Sequence, residues 1–158
     1  MVSIKWCLNT KNGIEIIAPN KNMADSYLKM AEESIIVLAD VKKSRIWTAT
    51  TSYYIFYYSL YSLMLRIGVK CEIHSCSIEF VKAFLREFYE KKDFEMMEKA
   101  FSARTDLQYY SDRPVDDKII EDIKKYCKDF YIKTRDALSK VNENQISRIR
   151  KELNEINK

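Results

Sequence analysis

The sequence predicts an all-α fold, an antiparallel bundle of five or six helices, on three observations. Apolar residues return at three- and four-residue intervals over long stretches, the period of a helix with one buried face. Only two glycines and two prolines punctuate 158 residues, too few for the tight turns of an all-strand domain. A composition of 47% apolar and 32% charged residues supplies both a core and solvated faces, and sets aside a disordered or collagen-like chain. A chain of this length suits a single domain.

Residues 1–21 are weakly patterned and read as an arm packing on the bundle. Within them Gly13-Ile14-Glu15-Ile16-Ile17-Ala18-Pro19 suits a short extended piece, or a helical turn stopped by Pro19. The bundle proper spans 22–141. Its first helix runs from about Met23 to Ala39, with Ala24, Tyr27, Leu28, Ala31, Ile35 and Leu38 on one stripe and Asn22 as a cap. The second runs from Arg45 to Ile67, between a Ser44 cap and a Gly68 stop. Its centre, Tyr53-Tyr54-Ile55-Phe56-Tyr57-Tyr58, has strand-like composition, but the continuation through Leu60, Met64 and Ile67 restores the helical interval. Apolar on several sides, it is the expected central helix.

Val69 to His74 connect to a shorter helix marked by Ile78, Val81, Leu85 and Phe88. A break near Lys91-Lys92-Asp93 precedes another, carrying Phe94, Met97, Phe101 and Arg104. Pro114 suits the first turn of a further helix, with Asp116 and Asp117 at its positive end. Its stripe of Ile119, Ile123, Tyr126, Cys127, Phe130, Thr134, Ala137 and Leu138 is the cleanest in the chain. Residues 142–158 form a helical extension, patterned by Ile146, Ile149, Leu153 and Ile156.

The eleven tyrosines and seven phenylalanines read as large side chains filling the spaces between helices. The formal charge of +4 is compatible with nucleic acid without requiring it. No apolar stretch suits a membrane span or a secretion signal, so the expected location is the cytoplasm. Cys7, Cys71, Cys76 and Cys127 lack zinc-ligand spacing and, in that compartment, are expected as free thiols. A single histidine cannot build a multi-histidine metal centre, there is no phosphate-cradling glycine loop, and no acidic group stands out as an orienter for a hydrolase triad. No cofactor and no metal site are expected.

Two polar sets remain. Arg66 lies near the end of one helix and His74 before the next. Together they suit phosphate chemistry, with arginine holding phosphoryl oxygens and histidine moving a proton. The structural alternative has Arg66 neutralising a helix end and His74 capping the following helix. The second set is Arg104, Gln108 and Tyr109 with Asp106 nearby, joined by Tyr53 or Tyr54. Arg104 and Gln108 are one helical turn apart and can contact a phosphate and a base edge, or satisfy one another within the bundle.

With these residues in place, the chain resembles the HEPN family of small helical proteins, particularly its UPF0332-like archaeal and bacterial branch, over about residues 12–140. The likeness rests on Ile16-Ile17-Ala18-Pro19 ahead of a helix containing Ala31, the Tyr53-Tyr54-Ile55-Phe56 block, Gly68 leading to His74-Ser75, and Arg104-x-x-x-Gln108-Tyr109. The resemblance implies an antiparallel bundle, often homodimeric, and in active members a metal-independent endoribonuclease whose arginine and histidine meet at the protomer interface. It also implies a toxin–antitoxin setting, with a minimal nucleotidyltransferase as partner and RNA as target. Carried over, Arg66 becomes the phosphate-holding residue and His74 the acid/base. Seven residues separate the two here, against four to six in the active pattern, and Gln108 stands where the branch has an acidic residue. The resemblance thus leaves three expectations: an RNA-associated or partner-binding component, a nuclease, and a noncatalytic protein-interaction module.

Overall fold

Helix α3 (Arg45–Ile67) forms the axis of the structure, a computed structural model describing residues 2–158. It buries residues on every side, including Tyr53, Ile55, Phe56, Leu60, Leu63 and Met64. A helix apolar all round is stable only when neighbours cover it. Here α2 (Lys21–Asp40), α5 (Lys91–Tyr109) and α6 (Asp117–Lys140) do so. Both ends of α3 follow the sequence reading. The Ser44 side chain accepts the Trp47 N–H, and Gly68 adopts φ 91°, the left-handed cap that glycine tolerates without a Cβ penalty.

A Cβ at Gly68 would also stand 2.2 Å from Arg150 Nη1 and 2.6 Å from the Ile17 carbonyl oxygen. That crowding reflects the docking of α7 (Glu143–Asn157) over the end of α3. Arg150 Nη1 donates to the carbonyls of Ile17 (2.5 Å), Gly68 (3.0 Å) and Ile67 (3.3 Å), so one guanidinium ties α7 to both the arm and the end of α3.

The architecture is the all-α bundle expected, with seven helices among the described residues. The additional one is α1 (Ile4–Asn9), capped by Ser3 inside the arm. The arm then runs through a two-residue strand, β1 (Glu15–Ile16), which pairs antiparallel with β2 (Val69–Lys70), Ile16 opposite Val69. No helix is long and apolar enough to cross a membrane, among the described residues.

Several boundaries move. Asn20, not Asn22, caps α2, its Oδ1 accepting the Met23 N–H at 3.0 Å. Helix α4 (His74–Phe84) stops before Phe88, and Lys91 to Asp93 open α5 instead of marking a break. Asp93 reaches back to the Glu90 N–H at 2.7 Å, an N-terminal signal that charge alone obscured. Pro114 lies ahead of the α6 cap, Asp116, and not in the first turn.

The cysteines overturn an expectation. Cys7 and Cys76 form a disulfide, while Cys71 and Cys127 are free and buried. The bonded pair is separated by 69 residues, so spacing offers no clue. Only the return of α1 onto α4 brings the two sulfurs together.

Candidate functional site

His74 is the first residue of α4 and faces the middle of α3. Its ring stacks on Tyr57, centroids 4.0 Å apart, and its Nδ1 lies 2.5 Å from the Tyr53 hydroxyl. Tyr53 and Tyr57 are one turn apart on α3, so they share the face that receives the imidazole. Tyr54 adds an edge-on ring, 6.3 Å between centroids.

Arg104 on α5 closes this cluster from the other side. Its guanidinium carbon lies 5.4 Å from the Tyr53 ring centroid, 5.6 Å from Tyr54 and 5.5 Å from Tyr109, a cation held among three aromatic faces. Arg104 Nη2 lies 3.4 Å from the Tyr54 hydroxyl and 3.5 Å from that of Tyr109. Its Nε is buried without a hydrogen-bond partner, and no carboxylate lies within ion-pair reach of it among the described residues. The nearby Asp106 is engaged by Arg113 instead, at 3.2 Å. Gln108 Nε2 donates to Thr50 Oγ1 at 3.1 Å, tying α5 to α3, and Tyr109 is 65% exposed at the rim.

Of the second polar set, Arg104, Tyr109, Tyr53 and Tyr54 come together and His74 joins them, while Gln108 turns to Thr50 and Asp106 to Arg113. Arg66 does not join them within the protomer. It lies more than three turns farther along α3 than Tyr53, roughly 20 Å at 1.5 Å per residue, and pairs with Glu143 of α7 at 3.4 Å. The arginine beside His74 is Arg104. The sequence reading passed over Tyr57, although its four-residue spacing from Tyr53 placed it on the same face, and Phe101, whose ring stands 5.8 Å from Tyr53.

Burial sets the protonation of His74 and Tyr53. His74 is pushed down to about 4, first by desolvation of the charged form and then by Arg104. It is neutral at neutral pH. Tyr53 is fully buried and its phenol is raised well above the ordinary range, mainly by desolvation. A buried hydroxyl that keeps its proton needs an acceptor, and His74 Nδ1 is the one in reach, so Tyr53 donates and His74 accepts. The imidazole proton then sits on Nε2, which becomes a hydrogen-bond donor beside the Arg104 cation.

This linkage carries a pH dependence. The unfolded chain takes up the histidine proton near pH 6.5, the folded chain only near 4. The stability contributed by this site is intact above about 6.5 and is lost as pH falls from there toward 4. Melting temperature should fall more steeply across that window in the parent protein than in His74→Gln. Parallel curves would refute a buried neutral imidazole.

The other polar clusters have structural accounts. Asp93, Tyr126 and Lys133 form a network between α5 and α6. Asp116 caps α6, and Asp117 pairs with Arg45 at 2.6 Å. Lys124 and Lys125 both pair with Glu121. No group of three or more histidine, cysteine or acidic side chains is arranged to hold a metal ion, among the described residues. Compared with known protein families and with curated proteins, the chain matches none.

Proposed function

We propose that this protein is an RNA-associated component, HEPN-like and homodimeric, that holds single-stranded RNA at the Tyr53, Tyr54, His74, Arg104 and Tyr109 cluster. The observation that carries the reading is the Arg104 guanidinium, lodged among three tyrosine rings with no acidic partner. An uncompensated cation in a half-buried aromatic setting favours an anion strongly, because little water competes for it. A phosphate oxygen can accept from Arg104 and from His74 Nε2–H, while the exposed Tyr109 ring offers a stacking face for an adjacent base.

The proton arrangement favours holding RNA over cleaving it. General-base catalysis needs an unprotonated Nε2, and Tyr53 places the proton there. General-acid catalysis needs an imidazolium, and burial keeps the ring neutral. A metal-independent endoribonuclease remains the competing reading, because an arginine and the histidine do converge. In that reading Arg104 replaces Arg66 within the protomer, and Arg66 would act only across a dimer. The third reading, a noncatalytic interaction module, draws on a separate surface. Met23, Met30 and Val37 recur every seven residues on the outer face of α2 and are exposed, as is Trp47. A second copy or a minimal nucleotidyltransferase of a toxin–antitoxin pair would cover such a stripe.

The test is fluorescence anisotropy of labelled single-stranded RNA against the purified protein. Binding should saturate and weaken with added salt. Arg104→Gln should lower affinity by roughly tenfold to a hundredfold, the range for a lost charge-assisted hydrogen bond. Equal binding by that variant would reject the site. Metal-free cleavage of the same RNA, removed by His74→Ala, would decide for the nuclease.

A further inference from the structure

The arm grips the strap that leads into α4 at three points. Ile16 pairs with Val69, the Glu72 N–H donates to the Asn12 carbonyl at 2.9 Å, and the disulfide joins Cys7 to Cys76. The first two hold the strap before α4 begins. Only the third reaches α4 itself, in the same first turn as His74.

That first turn is also held by His74, stacked on Tyr57 and hydrogen-bonded to Tyr53. Its cap residue is Ile73, which makes no side-chain cap hydrogen bond, so tertiary links must fix where the helix begins. On the other side, Cys7 is the one fully buried side chain of α1, with Ile4 and Leu8 only partly covered. The disulfide is therefore the one covalent tie between α1 and the first turn of α4. An open surface groove bordered by Val2, Ser75, Ile78 and Phe101 lies alongside that turn. Phe101 also touches Tyr53, so a shift there reaches the floor of the site.

From these placements we infer that the Cys7–Cys76 disulfide is a redox latch for the anion site: closed, it holds His74 against Tyr53 and Tyr57; opened by a dithiol, it lets the first turn of α4 move and weakens RNA binding. The inference rests on the RNA-binding reading for its functional consequence, though its structural part stands without it. In the opening step the dithiol loses two electrons and two protons and becomes a disulfide, while Cys7 and Cys76 each gain a thiol hydrogen. Both half-cystines are buried, so attack waits on local opening of the six-residue α1.

The chain contains one histidine, so imidazole NMR reports on His74 alone. Spectra are compared for the oxidised protein, the same protein after dithiothreitol, and a Cys7→Ser variant that cannot close. Thiol labelling under denaturing conditions fixes each state: Cys71 and Cys127 react in the oxidised form, all four cysteines in the reduced one. With the latch open, the histidine titration midpoint should move up toward the ordinary value of about 6.5. RNA affinity should fall on the order of tenfold, within the usual range of coupling between sites. An unchanged titration in all three samples overturns the latch, as does labelling of all four cysteines without reductant. Loss of the helical circular dichroism signal on reduction also overturns it, because the bond would then hold the fold and not the site. If no sample binds RNA, the RNA reading fails while the histidine shift still decides the latch.

Discussion

Phe56→Ala should cost about 3–5 kcal/mol of folding free energy, the range for emptying a buried aromatic site. Phe56 is fully buried on α3, its ring 5.0 Å from Phe130 and 6.4 Å from Tyr126 by centroids, so it fills the seam between α3 and α6. Phe130 stacks in turn on Tyr89, centroids 4.8 Å apart, which carries the cluster to the turn before α5. Removing the first ring leaves partners that are themselves fixed by packing, and such a site collapses poorly. A loss of that size is a large share of a typical domain's stability and would lower the melting temperature by roughly 10 °C or more in a chain of this length. Phe56→Leu keeps most of the volume and should cost about 1.5 kcal/mol or less. Urea unfolding of both variants checks this; an alanine variant within about 1 kcal/mol of the parent would remove α3 from the centre of the core.

Asp93→Ala is the second large effect, expected at about 3 kcal/mol. Asp93 is fully buried and accepts three hydrogen bonds, each 2.7 Å: from the Tyr126 hydroxyl, from Lys133 Nζ, and from the Glu90 backbone N–H. Alanine removes all three acceptors at once and leaves the start of α5 without its reciprocal cap. Lys133 is partly exposed and can turn to water, which keeps the penalty below that of a wholly stranded buried charge. Asp93→Asn retains an acceptor for Glu90 but loses the charge facing Lys133, so it should fall between the parent and alanine. Equal stability of parent and alanine variant would show that the network contributes nothing beyond packing. Neither substitution touches Arg104 or His74, so RNA binding by whatever fraction remains folded should be unchanged.

These two sites differ in how far the sequence revealed them. Phe56 and Phe130 sit on stripes whose period is visible in the chain, and their burial follows from that period alone. Asp93 sits in a run of charges that reads equally as a loop. Its role emerges only when Tyr126 and Lys133 of α6 arrive beside it. The candidate site divides in the same way. Tyr53, Tyr54, Arg104, Gln108 and Tyr109 could be grouped from spacing and residue type. The pairing of His74 with Arg104 and not Arg66 could not, because it depends on where the turn after α3 points the first residue of α4.

By itself the sequence determined the elements: an all-α chain, the bounds of α3, the stripes of α2 and α6, and the side chains available for an anion site. Helical period, caps and scarcity of turn residues are local properties, written within a few residues of where they act. The tertiary structure alone decided which arginine stands beside the histidine, that Tyr53 hydrogen-bonds to it, and that two cysteines far apart in the chain are bonded. Each of those depends on contact between residues whose separation along the chain carries no period, and such contacts exist only once the helices have packed.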